Sequence, residues 1–133
     1  MNIYTTHQVS GHKRGSKMGV PTINLLVPTH FEYEHGIYAG KIGLVRASAA
    51  ARTWYPAAIH FGFKPTFDED DVTLEVNIIY AEPQNIIPYD PTNIQVCLTK
   101  RIREILKFDT PTLLVEQIQK DVALIRSLLR DDK

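Results

Sequence analysis

The sequence predicts a mainly β domain, a barrel or sandwich of short strands that ends in one long helix. Three observations carry this expectation. Through the first two-thirds of the 133 residues, strand-length apolar runs are broken by clusters of Gly, Pro and Asp. From Val72 to Ile78 apolar and polar residues alternate, the period of a strand with two unlike faces. After Thr110 the apolar residues recur at helical spacing instead.

Taken in order, the expected strands are Ile3–Val9, Thr22–Leu25, Gly36–Val45, Tyr55–Phe61, Val72–Tyr80 and Ile94–Ile105. In Val72–Tyr80, residues Val72, Leu74, Val76, Ile78 and Tyr80 share one face, while Thr73, Glu75 and Asn77 point the other way. Short strands at such spacing close into a barrel or stack as a sandwich. Thr110 followed by Pro111 is a helix start, because a hydroxyl caps open N–H groups and proline fits the first helical position. Leu114, Ile118, Val122, Ile125 and Leu129 then form an apolar stripe, which Leu113, Leu124 and Leu128 widen. That predicts a core-packing helix laid across the barrel to close one end. With no internal repeat and no linker, residues 1–133 read as a single domain.

Composition narrows the function classes. Fifteen Lys and Arg balance fifteen Asp and Glu, whereas a nucleic-acid surface shows a basic excess. Lys13, Arg14 and Lys17 are a local basic loop without an aromatic stacking platform, so no nucleic-acid partner is expected. Cys97 is the single cysteine, which rules out an intramolecular disulfide and suits a reducing compartment. Met1 to Gly11 shows no signal-peptide pattern, and no run approaches the roughly 18 apolar residues of a membrane helix. The expectation is a cytoplasmic monomer with no membrane partner.

The segment Gly11–Asn24, GHKRGSKMGVPTIN, is the most unusual stretch. Gly11, Gly15 and Gly19 recur every fourth residue among Lys13, Arg14 and Lys17. Glycines let backbone N–H groups approach phosphate oxygens, and the bases neutralise charge. The spacing is neither a Walker A loop nor G-x-G-x-x-G, and on glycines alone a basic hairpin loop is the plainer reading. Thr22 and Asn24, two apart on an extended segment, project from one face as a pair of neutral oxygen ligands. Magnesium takes such a pair when phosphates supply the charge, although Thr/Asn pairs also serve turns. Glu75, the lone carboxylate of its strand, either faces water or acts as a general base in a cleft. The acidic run Asp68, Glu69, Asp70 and Asp71 reads as a solvated loop, with a calcium or magnesium site as the alternative.

Together these segments resemble the riboflavin kinase family along nearly the whole chain. The carriers are the glycine loop running into Pro21-Thr22-Ile23-Asn24, then Gly36-Ile37-Tyr38-Ala39-Gly40, then Gly62-Phe63-Lys64-Pro65-Thr66-Phe67. Glu75-Val76-Asn77-Ile78 follows, with Ile102-Arg103 to Lys107-Phe108 and finally Leu114, Gln117-Ile118 and Asp121. Six motifs in the family's order are specific where one would be weak.

The resemblance implies a six-stranded antiparallel Greek-key β-barrel with a long C-terminal α-helix. It implies riboflavin and ATP as substrates, Mg²⁺ as the metal, and FMN as product. By position it makes Glu75 the catalytic base and Thr22 and Asn24 the metal ligands. Gly11, Gly15, Lys17, Met18 and Gly19 join those two at the ATP site, and Arg103, Gln117 and Asp121 are candidates on the flavin side. An adenylyltransferase domain that would carry FMN on to FAD is not seen, so the chain is expected to stop at FMN unless it was cut from a longer protein. Departures lie at Pro83–Pro91, at Ile105, and at Val20 and Ile23. They leave a second reading open, a non-catalytic flavin- or nucleotide-binding module on the same barrel.

Overall fold

The computed structural model describes residues 2–9, 22–46, 51–63, 72–79 and 88–130. Six strands, β1 (Tyr4–Thr6), β2 (Thr22–Leu25), β3 (Gly36–Arg46), β4 (Arg52–Gly62), β5 (Thr73–Ile78) and β6 (Tyr89–Arg103), precede helix α1 (Pro111–Arg130). The strands form one antiparallel sheet in the order β1-β6-β3-β4-β5-β2. β3, β4 and β5 are consecutive neighbours, and β6 returns to lie beside β3, which is the Greek-key order. The sheet curls until its edges meet. Gln8 bridges Leu25, Val9 N–H donates to the Asn24 carbonyl (2.8 Å), and Leu26 N–H donates to that of His7 (2.9 Å). Closure of this kind satisfies edge groups that would otherwise be open to pairing.

The inner face is the core. Ile23, Leu25, Ile42, Ile59, Leu74, Val76, Ile78, Ile94 and Val96 are all buried there. The alternation expected of Val72–Ile78 holds, with Leu74, Val76 and Ile78 inside and Thr73, Glu75 and Asn77 half-buried on the other side. Pro56 sits within β4 without breaking the sheet. Its carbonyl accepts from Ile79 N–H, so its missing donor faces the place where β5 has already ended. β6 runs past β3 with register shifts at Ile37/Tyr38 and Ala39/Gly40. At Gly40 any Cβ would run into the Cys97 carbonyl and the end of Ile59, so only glycine lets the strands approach there. Gly62 ends β4 at φ +139°, a conformation that side chains rarely adopt.

Strand limits differ from the sequence expectation by one or two residues at several ends and by more in β1, β4 and β6. β1 is shorter than Ile3–Val9, β4 begins earlier at Arg52, and β6 begins at Tyr89. The early part of β6 lacks apolar alternation but is pinned from across the sheet. Arg52 donates to the Gly43 carbonyl (2.9 Å) and to Asn93 Oδ1 (2.8 Å).

The helix begins as expected, with Leu113 N–H donating to Thr110 Oγ1 at 3.2 Å. Its placement corrects the expectation. α1 does not close an end of the barrel. Ile125 is fully buried against Ala39, Ala58 and Ile79 on the outer face of β3 and β4, with Val122 and Ile102 beside it. The wide stripe is corrected too, since Leu113 and Leu124 stay exposed. Two alanines and one isoleucine offer a narrow seat, so among the described side chains of the helix the buried part is the seam through Asp121 and Ile125.

Candidate active site

The strand period places the described candidates of β2 and β5 on the outer face. With Ile23 and Leu25 turned into the core, Thr22 and Asn24 must point outward from β2. With Leu74 and Val76 inside, Glu75 and Asn77 point outward from β5, and His60 does so from β4. Register then lines them up. Asn24 lies opposite Glu75, Glu75 opposite His60, His60 opposite Ile37, and Ile37 opposite Arg103. The next row runs Thr22, Asn77, Ala58, Ala39 and Lys100. Directly opposed side chains have Cβ atoms about 4.5–5.5 Å apart, so Asn24 and Glu75 are contact neighbours.

The near end of this face is a polar cluster. Thr22, Asn24, Glu75, Asn77 and His60 are each half-buried, neither sealed in the core nor fully in water. Thr22 Oγ1 donates to Asn77 Oδ1 at 2.8 Å. Glu75 therefore does not stand on a freely solvated face, the plainer alternative for a strand carboxylate. Among the described residues no group of three or more His, Cys, Asp or Glu converges as a metal site. A cation here could be met by the neutral hard oxygens of Thr22 and Asn24, with the Glu75 carboxylate beside them.

The far end is an ion pair. Arg103 Nη2 donates to Asp121 Oδ2 at 2.7 Å and Arg103 Nε to Oδ1 at 3.0 Å, while Gln117 Nε2 reaches Oδ1 at 3.1 Å. Asp121 is buried and its carboxylate is filled by these donors. This forked pair ties α1 to the end of β6 and fixes the helix beside the polar cluster. Along the sheet, Glu75 and Arg103 are three strand spacings apart, roughly 14–15 Å.

The riboflavin kinase (flavokinase) family pattern matches residues 3–129. The chain belongs to the riboflavin kinase family. A riboflavin kinase of Meyerozyma guilliermondii is 27% identical over 145 residues, covering 90% of this chain and 79% of the relative. A bifunctional riboflavin kinase/FMN adenylyltransferase of Buchnera aphidicola subsp. Schizaphis graminum is 29% identical over 120 residues. That match covers 89% of this chain but only 36% of the relative, so the chain spans about a third of that protein's length. The crystal structure of a macrolide-efflux protein from Streptococcus pneumoniae superposes with TM-score 0.70 at 29% identity. It covers 93% of this chain and 38% of that one.

Of the family positions expected to act, Thr22, Asn24 and Glu75 are brought together on one face, while Arg103, Gln117 and Asp121 form the helix anchor. Gly11, Gly15, Lys17, Met18 and Gly19 lie outside the described residues, as do the acidic run 68–71 and residues 80–87. The departure at Ile105 has a packing basis, since its side chain lies against the backbone of Gly62. His60 and Asn77 escaped selection in the sequence, although Asn77 shares its face with Glu75. The missing signal was the β4–β5 register, which puts His60 opposite Glu75.

Proposed function

We propose that this chain is a riboflavin kinase, transferring the γ-phosphate of ATP to the ribityl 5′-hydroxyl of riboflavin. The observation that carries this reading is the pairing of Asn24 with Glu75, next to Thr22 paired with Asn77, on one half-buried outward face. A base and a neutral ligand pair are then close enough to serve the two ends of one displacement. Glu75 takes the proton of the 5′-hydroxyl as its oxygen bonds to the γ-phosphorus. The bond from that phosphorus to the β,γ-bridging oxygen breaks, and its electron pair leaves on ADP.

Thr22 and Asn24 would hold a divalent cation such as Mg²⁺, which when bound supplies charge neutralisation to the phosphates. Gly11, Gly15, Lys17, Met18 and Gly19 are proposed to cradle the nucleotide. Arg103, Gln117 and Asp121 are proposed to serve the flavin side by fixing the helix that flanks it. An elongated substrate, ring at one end and hydroxyl at the other, suits the distance along the sheet from Arg103 to Glu75.

The test is direct. Purified protein with riboflavin, ATP and MgCl₂ is expected to yield FMN and ADP in equal amounts, separated by chromatography. Binding of both substrates with no FMN under any divalent metal would overturn catalysis in favour of a binding module.

A further inference from the structure

We infer that Asn77 is the residue that sets Thr22 for metal binding, by accepting the hydrogen bond of its hydroxyl. The inference rests on the kinase reading and names a positioning residue within it. A hydroxyl ligates a cation through a lone pair, so its proton must be directed elsewhere. Here Thr22 Oγ1 donates to Asn77 Oδ1 at 2.8 Å, and the two residues are direct register partners of β2 and β5. The strand pairing therefore places the two side chains directly within reach of each other.

The surroundings favour that direction. On the other side of Asn77, β4 presents Ala58, which is buried under Ile125 of the helix. A methyl group offers the Asn77 amide no competing hydrogen bond, so its oxygen is left to the β2 side. Asn77 itself is half-buried, in a region where lost hydrogen bonds are incompletely replaced by water. An amide also accepts the hydrogen bond without adding charge, which keeps the ligand pair neutral toward a phosphate-bound cation. Groups that orient a metal ligand typically change metal affinity 10–100-fold when removed.

The test compares ADP binding by calorimetry in MgCl₂ and in EDTA for the wild type, Asn77→Leu, Asn77→Asp and Thr22→Val. Asn77→Leu keeps the approximate size and loses the acceptor. It is expected to lower the Mg²⁺-dependent part of ADP affinity about tenfold or more while leaving metal-free ADP binding in place. Asn77→Asp retains an acceptor and is expected to keep the metal-dependent gain. Thr22→Val is expected to show the loss alone, and adding Asn77→Leu to it no further loss. Wild-type metal dependence in Asn77→Leu, equal loss in Asn77→Asp, or additive losses in the double variant would each overturn the inference. FMN formation by the wild type is scored separately. A chain that makes FMN while Asn77→Leu keeps its metal-dependent gain would therefore refute this inference and leave the kinase reading standing.

Discussion

The two faces of β2, β5 and β4 are made by the same residues in alternation, yet they do opposite things. Inward, Ile23, Leu25, Leu74, Val76, Ile78 and Ile59 are almost wholly buried and carry no polar group. Outward, Thr22, Asn24, Glu75, Asn77 and His60 are half-buried and polar. One face gives the sheet its stability through apolar burial. The other holds reactive groups in fixed register because its own backbone is pinned from behind. The outer face is itself divided, since the helix covers the alanines of β3 and β4 and its main contacts are with those strands. Chemistry and packing thus share a surface, with the boundary set by where side chains become small.

That division can be broken deliberately. The largest stability effect is expected at the ion pair, where polar groups of the outer face serve structure. Asp121→Ala strands the Arg103 guanidinium, and loss of one partner of a buried pair costs about 3–5 kcal/mol. Denaturant unfolding should show it. A loss under about 1 kcal/mol would mean that the helix does not depend on this anchor.

Next comes the inner face. Ile59→Ala empties a fully buried site and is expected to cost about 2–5 kcal/mol, with turnover per folded molecule retained. Equal loss of turnover in the folded fraction would erase the distinction between the faces.

Alkaline pH probes the core differently. Burial, followed by a hydrogen bond with Tyr4, pushes the Tyr33 phenol up to about 12. Burial also raises Tyr38. The folded state favours the neutral phenol, so this contribution is complete below the ordinary value of 10 and is lost as pH rises from there through about 12. The phenolate absorbance of Tyr33 and Tyr38 should therefore appear only above the ordinary tyrosine range, together with the loss of stability. A single unperturbed transition would contradict the buried aromatic cluster. The smallest effect belongs to Leu124→Gln, which should leave stability within about 0.5 kcal/mol because that side chain is exposed. A core-sized loss there would restore the wide helix stripe.

How far the sequence could be read follows from the same contrast. β5 was legible because an alternating strand with one buried face states its own orientation, and β2 because Thr22 and Asn24 flank a core residue. The helix start was legible from Thr110-Pro111, since capping is local chemistry. The helix face was not. Its width depends on Ala39 and Ala58, which lie far away in sequence. The start of β6 was hidden for a similar reason, because Arg52 and the β3 pairing hold a polar segment extended. Register between strands was equally out of reach, and with it the partnerships of Asn77 with Thr22 and His60 with Glu75.

The most direct test of the account is the rate of FMN formation by Glu75→Gln beside the wild type, with substrate binding and unfolding measured on both. Bound riboflavin and nucleotide, an unchanged unfolding midpoint, and turnover lower by about 10²–10⁴-fold are expected. Wild-type turnover in Glu75→Gln would contradict it, because the base would then lie elsewhere than on the outward face of β5.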